Sequence, residues 1–162
     1  MTRSVLQLQR DNLLLSALVD GPEQGAVAML VHGFPDTPHS WNGVAEGLVQ
    51  AGYQVVRPWL RGYTPGSINP DAAYDPFNAG LDLLAWRAKF EGRDVHLVGH
   101  DWGAVAAMAA AATDAQAWKT LTDADNPNPQ PTRSLPSKLS IGVSTPFQKE
   151  HPQIVGFFEK VE

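Results

Sequence analysis

Apolar and polar residues follow one another along this chain in the patterns of short strands and longer helices. Five stretches have the apolar patterns of strands: residues 4–9, 13–19, 27–32, 53–59 and 95–98. The first two are separated by Asp11-Asn12, a dipeptide suited to a turn, and are predicted to form a strand pair. From the third strand onward each strand is followed by a segment long enough to cross back over the sheet.

The segments between the later strands are predicted to be helical. Apolar residues recur at helical spacing over 41–51 and 77–90, and an alanine-rich run follows residue 103. Glycine and proline punctuate residues 61–76, which are predicted to form a loop. Strands alternating with helices favour an α/β fold with a mostly parallel core sheet, which binds ligands at the carboxyl ends of its strands.

The segment with the most specific chemistry is the sharp turn that joins the last of these strands to the alanine-rich helix. Gly99 and Gly103 flank Asp101 at two-residue spacing, the layout of a nucleophile elbow with aspartate where serine usually stands. Glycines lack a Cβ atom, so the helix can pack close against the strand and lift the carboxylate clear. The alternative role for Asp101 is that of a helix N-cap, a position where aspartate is preferred.

Two further motifs precede the elbow in the order expected of one known family. His32-Gly33-Phe34-Pro35-Asp36 follows a predicted strand and leads into Ser40-Trp41, and Arg61-Gly62-Tyr63 lies between that motif and Asp101. Together the three motifs resemble the α/β-hydrolase superfamily, and within it the branch of epoxide hydrolases and haloalkane dehalogenases that uses an aspartate nucleophile. The opening motif and the RGY triplet look most like epoxide hydrolase. The resemblance covers roughly residues 4–122.

The resemblance implies a two-step reaction on a small apolar epoxide or haloalkane, without cofactor or metal. A carboxylate can displace at a saturated carbon, so Asp101 would form a covalent alkyl ester. Water activated by a histidine would then attack the ester, and the oxyanion would need donors already in place. By resemblance, those oxyanion-hole donors are the backbone N–H groups of Phe34 and Trp102. The Trp102 side chain would also line the pocket.

Other conspicuous polar residues have simpler expected roles. His32 and His100 are predicted to be structural, because a strand-end histidine supports the oxyanion loop and a histidine beside the nucleophile points away from the pocket. Asp36 is predicted to cap its loop, and the RGY triplet is predicted to fix the loop that contains it. Four tryptophans are predicted to be core or rim residues: Trp41, Trp59, Trp86 and Trp118.

Composition is compatible with a single compact domain and excludes several other classes. The chain has 162 residues, of which 43% are hydrophobic and 18% charged, and this length is enough to bury one core. A net charge of −5 without a basic cluster argues against partners such as nucleic acid or an anionic membrane. The absence of cysteine excludes disulfides and thiolate metal sites. No apolar run resembles a signal peptide or a membrane span, so a cytoplasmic protein is expected.

The region after the elbow departs from the family pattern. In this superfamily an acid and a base follow the nucleophile, and a lid that supplies tyrosines usually lies between them. Only 61 residues follow Asp101, and the only later histidine, His151, lacks the usual Gly-His-aromatic context. We therefore expect a partial, truncated α/β-hydrolase fold without lid and last strands, and weak or no turnover.

The chain divides into three parts on composition. Residues 1–122 form the hydrolase-like part, residues 123–138 are a proline-rich linker, and residues 139–162 are a short strand and helix. The tail resembles the closing part of a hydrolase, in which Thr145 would stand at the position of the base. It resembles equally a fragment of betaine-type substrate-binding proteins.

Three functions are consistent with these observations. The first is an epoxide hydrolase-like enzyme with Asp101 as nucleophile. The second is a non-catalytic remnant that forms homo-oligomers, or binds a partner, through the exposed edge of the fifth strand. The third is binding of a small quaternary amine by the tail, where three phenylalanines are the only aromatic residues for the cage that such a cation needs: Phe147, Phe157 and Phe158. The first explains most residues.

Overall fold

A computed structural model describes residues 3–119, and the strands and helices predicted in that range are confirmed. Five strands and three longer helices follow one another as β1 (Arg3–Arg10), β2 (Leu13–Asp20), β3 (Val27–Val31), α1 (Asn42–Gln50), β4 (Gln54–Pro58), α2 (Pro76–Arg87), β5 (Val95–Gly99) and α3 (Trp102–Thr113). Short 3-10 turns precede α1, interrupt the predicted 61–76 loop and follow α2 and α3. Their bounds are Pro38–Trp41, Pro65–Ser67, Ala88–Phe90 and Ala115–Ala117.

The sheet has the strand order β1-β2-β4-β3-β5. β1 pairs antiparallel with β2, and β2 pairs antiparallel with β4. β3 lies between β4 and β5 and pairs parallel with both. The carboxyl ends of these three parallel strands therefore meet at one edge, which is where the motifs at 32–36, 61–63 and 99–103 lie.

The core has two layers, one on each face of the sheet, and β3 contributes to both. Val27, Met29 and Val31 pack in the layer covered by α2 and α3, whereas Ala28 and Leu30 face the layer under α1. All five β3 residues are buried. This alternation reflects the two-residue period of a strand, and it makes β3 the fixed element from which the His32 motif begins.

A buried ion pair beneath α1 joins β2, in the antiparallel part of the sheet, to β4, in its parallel part. Arg57 on β4 donates to the Asp20 carboxylate on β2, and both side chains are almost completely buried. The same guanidinium donates to the Asn42 side chain at 2.6 Å and to the Pro38 carbonyl at 3.2 Å. Arg57 thereby fixes the start of α1 relative to the sheet.

β5 is the last strand in the order of the described sheet, but part of its outer edge is engaged by the chain itself. The Lys119 backbone N–H donates to the Val95 carbonyl at 2.9 Å, and Trp118 beside it is buried. Pairing of this edge with a second copy or a partner therefore stays a prediction.

The predictions for the linker at 123–138 and the tail at 139–162, including Thr145 and His151, lie outside the described residues. Across residues 3–119, no helix is both long and apolar enough to cross a membrane.

Candidate active site

The turn after β5 has the strained backbone that the elbow motif predicts. Asp101 adopts φ 52° and ψ −121°, in the left-handed region that non-glycine residues rarely occupy. α3 begins at the next residue, and the Ala104 and Val105 N–H groups donate to the Asp101 carbonyl. The strain is held by hydrogen bonds on both sides, since His100 N–H donates to Val31 of the adjacent strand at 3.0 Å.

The flanking glycines are sterically required, as the motif predicts. A Cβ atom on Gly99 would lie 2.4 Å from the Gly103 carbonyl oxygen, and one on Gly103 would lie 2.4 Å from that of Val31. Contacts this short with backbone atoms cannot be relieved by moving a side chain. The two glycines therefore permit α3 to start directly against β5 and β3.

The Asp101 carboxylate points across the sheet edge to the loop after β3 rather than along its own helix. Its Oδ1 accepts a hydrogen bond from the Phe34 N–H at 2.8 Å, and the adjacent backbone N–H of Trp102 lowers the pKa of the same carboxyl group. The side chain makes no capping hydrogen bond to α3. These contacts argue against the N-cap role and bring together the three residues that the sequence singled out: Phe34, Asp101 and Trp102.

The two backbone N–H groups also favour the ionised form of this group. The hydrogen bond from the Phe34 N–H first, and the adjacent Trp102 N–H next, lower the pKa of Asp101 below its ordinary value. His100 lowers the same pKa through its charge. Asp101 is solvent-exposed and is therefore a carboxylate at neutral pH, the form needed for nucleophilic attack.

His32 fixes the loop that presents Phe34. The ring is completely buried, with Nδ1 2.8 Å from the Gly33 carbonyl and Nε2 3.1 Å from the Leu60 N–H. The Leu60 N–H can only donate, so Nε2 must be the acceptor and Nδ1 carries the proton. The ring also contacts Tyr63 edge-to-face, with centroids 4.7 Å apart. The structural role predicted for His32 is confirmed.

The burial of His32 predicts that the folded protein loses stability in acid. Burial lowers the pKa of His32 below 6.5, so the unfolded chain binds this proton at a higher pH than the folded chain. The free energy of unfolding is therefore expected to decrease as pH falls below 6.5, until the folded ring is protonated as well. Urea denaturation at a series of pH values from 8 downward measures this slope. The non-titrating variant His32→Gln should lack this component of the slope, and an unchanged slope would contradict the assignment.

The loop beyond Phe34 is capped as predicted. The Thr37 N–H donates to Asp36 Oδ1 at 2.9 Å, and the Asp36 N–H donates to the Gly33 carbonyl at 3.0 Å. These bonds close the turn that carries the Phe34 N–H toward Asp101.

A cavity of about 310 Å³ opens beside Asp101, and part of its wall comes from Trp102, the next residue in the chain, and from Phe34, which donates to the Asp101 carboxylate. The remaining wall comes from the loop after β4 and the start of α2. The lining residues are Phe34, Leu60, Arg61, Tyr63, Tyr74, Asp75, Pro76, Ala79 and Trp102. The predicted pocket role of Trp102 agrees with this wall, and half of its side-chain surface remains exposed.

Arg61 connects the loop after β4 to α2 by hydrogen bonds, which confirms the prediction that the RGY triplet fixes a loop. Its Nε and Nη2 donate to the two carboxylate oxygens of Asp82, each at 2.7 Å. Its Nη1 donates to the Ala73 carbonyl at 2.6 Å. Asp82 lies on α2 and also accepts from Arg10 on β1 at 2.7 Å. One buried carboxylate thus joins β1, the loop and α2.

Sequence reasoning missed the contribution of residues 74 and 75 to the cavity. Tyr74 is held in place by its hydroxyl group, which accepts from the Asn69 N–H at 2.6 Å. Asp75 caps α2 by accepting from the Asn78 N–H at 2.9 Å. The signal was an aromatic and an acidic residue at the end of a Gly/Pro-rich loop that follows a parallel strand. Within residues 3–119, no group of histidine, aspartate and glutamate side chains is arranged to hold a metal ion.

Comparison with known proteins agrees with this geometry. Residues 28–159 match the sequence model of the alpha/beta hydrolase family. An epoxide hydrolase from Caballeronia sordidicola is 39% identical over 92 residues, and epoxide hydrolase A from Mycobacterium tuberculosis is 42% identical over 91 residues. These alignments cover 55% and 54% of this chain, and the chain spans 28% of the length of each relative.

Solved structures lead to the same family. Epoxide hydrolase A from Mycobacterium thermoresistibile superposes with a TM-score of 0.59 at 34% identity, covering 67% of this chain and 35% of that protein. An epoxide hydrolase from Vigna radiata superposes with a TM-score of 0.65 at 26% identity, covering 73% and 37% of the two chains. In both comparisons this chain therefore aligns with only part of the longer protein. The chain belongs to the α/β-hydrolase family, in the branch that resembles epoxide hydrolases.

Proposed function

We propose that Asp101 opens small epoxides by forming a covalent ester with the substrate. The observation that carries the proposal is the hydrogen bond from the Phe34 N–H to Asp101 Oδ1 at 2.8 Å. It holds the carboxylate next to Phe34 and Trp102, which line a cavity large enough for a small molecule. The names of the relatives support an epoxide over a haloalkane, since those compared above are epoxide hydrolases.

The first step follows from the division of labour between the two carboxylate oxygens. Oδ1 accepts from the Phe34 N–H, so Oδ2 is the oxygen that attacks a ring carbon of the epoxide. The new C–O bond forms as the strained ring C–O bond breaks, and the electron pair passes to the epoxide oxygen. That oxygen takes a proton from water and becomes a hydroxyl group. The product is a hydroxyalkyl ester of Asp101.

The second step uses the Phe34 N–H in the oxyanion-hole role that the family resemblance implies. Water attacks the Asp101 carbonyl carbon, and negative charge develops on Oδ1, to which the Phe34 N–H already donates. By the same resemblance, the Trp102 N–H is the second donor. This step needs a general base. Residues 3–119 contain four histidines. His32 is held in its loop by hydrogen bonding, and the rings of His39 and His96 contact Trp59 and Tyr53, respectively. His100 precedes Asp101 in the elbow, where we expect it to point away from the cavity, so we expect the ester to accumulate.

Intact-protein mass spectrometry after incubation with styrene oxide tests this proposal. Wild-type protein is expected to gain the mass of one whole epoxide. In Asp101→Asn the amide oxygen still accepts from Phe34 but the nucleophile is lost, so the adduct is expected to fall by several orders of magnitude. Peptide mapping should place the added mass on the segment that contains Asp101.

Three results are informative. Equal labelling of wild type and Asp101→Asn, or no reaction of either, overturns the proposal. Release of diol without adduct would retain Asp101 as nucleophile and overturn the accumulation of the ester. His151 would then be the first histidine to replace.

A further inference from the structure

We propose that the cavity beside Asp101 selects epoxides whose other end is a quaternary ammonium group. The inference deepens the proposed function and depends on it for the covalent step. It rests on three features of the cavity: the aromatic residues in its wall, the negative charge of the carboxylates around it, and its size.

Aromatic residues form a large part of the wall of the cavity. Four of its lining residues are aromatic, and they come from three different segments: Phe34, Tyr63, Tyr74 and Trp102. Aromatic rings attract cations through their quadrupole, and tryptophan does so most strongly. Rings from several directions are the arrangement by which proteins recognise quaternary ammonium groups.

The charges around the cavity are negative after internal pairing. Asp75 is part of the wall, and Asp101 lies between Phe34 and Trp102 of the wall, bonded to the Phe34 N–H. Arg61 also lines the cavity and interacts with the charge of Asp75, but its guanidinium donates to both oxygens of Asp82, so the carboxylates outnumber the cation. Burial keeps His32 neutral by lowering its pKa. Burial raises the pKa of Tyr63 and the carboxylates of Asp101 and Asp36 raise it further, so the negative field reaches that wall. His100 precedes Asp101 in the chain, is exposed and is not part of the cavity lining.

The size of the cavity favours a compact group. About 310 Å³ lies at the small end of ligand pockets, which suits a trimethylammonium group linked to a three-membered ring. A quaternary ammonium has no N–H group that must find an acceptor, so it can lie against rings without an unsatisfied donor. A neutral aryl group would stack on the same rings but would gain nothing from the carboxylates.

A pair of isosteric epoxides tests the inference with charge as the only difference. Glycidyltrimethylammonium and 1,2-epoxy-4,4-dimethylpentane place a cationic nitrogen or a neutral carbon at the same position. Rates of adduct formation on wild-type protein are measured by intact-protein mass spectrometry and divided by the rate of each epoxide with free acetate. That correction removes the intrinsic effect of the charge on epoxide reactivity. We expect a preference of about tenfold for the cation, the middle of the range for a cation against aromatic rings.

Variants separate the two sources of the preference. Asp75→Asn keeps the cap of α2, because asparagine also accepts from the Asn78 N–H, and it should lower the preference by removing the charge. Trp102→Leu should lower it by removing a ring. Glu91→Gln changes net charge equally at an exposed site before β5, at the opposite end of that strand from Asp101, and should leave the preference at the wild-type value.

A reaction-independent measurement distinguishes the two proposals. Tetramethylammonium, which cannot react with Asp101, should shift the Trp102 indole N–H resonance of wild-type protein, with the signal assigned by Trp102→Phe, whereas tert-butyl alcohol should not. Equal corrected rates for the two epoxides, or a higher corrected rate for styrene oxide than for the cation, overturn the cation preference and leave the nucleophile standing. No adduct with any epoxide overturns the proposed function, and the covalent part of this inference with it; the indole shift then decides the cation site alone.

Discussion

Replacing Gly33 with alanine is expected to slow ester formation at Asp101 by about 100-fold, the penalty typical of a misplacement of about 1 Å between reacting groups. A Cβ atom at this position would lie 2.5 Å from Asp101 Cβ and 2.8 Å from Oδ1. It would also lie 3.0 Å from the His100 carbonyl oxygen, so the loop must move away from the elbow as a whole. The Phe34 N–H then no longer reaches Oδ1, and the attacking oxygen loses its orientation.

Two readouts test this effect separately from each other. Adduct formation with styrene oxide reports the chemistry, and carboxyl-carbon NMR reports the pKa of Asp101. That pKa should rise toward its ordinary value of 3.8 when the Phe34 donor is lost. Gly43→Ala is the matched control, because a Cβ atom there meets nothing within 4 Å. It should leave both readouts unchanged and stabilise α1 by about 0.5–1 kcal/mol. A Gly33→Ala variant within a few-fold of wild type would refute the steric argument.

The local parts of the site were predictable because short motifs encode them through steric necessity. Gly99 and Gly103 can be recognised in the sequence because only glycine permits the contacts that the elbow requires. The family resemblance, and not periodicity, implied that Phe34 and Trp102 lie beside Asp101, although 67 residues separate Phe34 from Asp101. The parallel strands explain how such distant motifs meet, because their carboxyl ends lie at one edge of the sheet.

The cavity wall was not predictable in the same way. Tyr63, Tyr74 and Asp75 belong to a stretch that the sequence identifies only as a loop, and no period specifies which of its side chains face inward. Their positions depend on one long-range contact, Arg61 with Asp82, between residues 21 positions apart. Asp82 stands among leucines in α2, where a helical pattern assigns it no partner. A buried charge is detectable in sequence only once its partner is known.

That partnership gives the largest expected effect on stability. Replacing Asp82 with alanine leaves the Arg61 guanidinium, which is 5% exposed, without a carboxylate. Burial disfavours that charge, but the hydrogen bonds and the charge of Asp82 outweigh burial and raise the pKa of Arg61, so the group remains a cation. Breaking a buried pair from one side costs about 3–5 kcal/mol of the free energy of unfolding. Arg10 loses the same acceptor but is partly exposed and lies 3.4 Å from Asp11, so it contributes less.

Urea denaturation measures the loss, and two further variants identify its cause. Asp71→Ala removes an exposed carboxylate from the same loop and should change stability by less than about 0.5 kcal/mol. The double variant Arg61→Met with Asp82→Leu removes both charges together, so it should be more stable than Asp82→Ala despite carrying more substitutions. If the double variant were the less stable of the two, the cost would come from lost packing in α2 rather than from an unpaired charge.

Because Arg61 also binds the Ala73 carbonyl beside Tyr74, Asp82→Ala should in addition loosen the cavity wall and weaken the preference between the two isosteric epoxides.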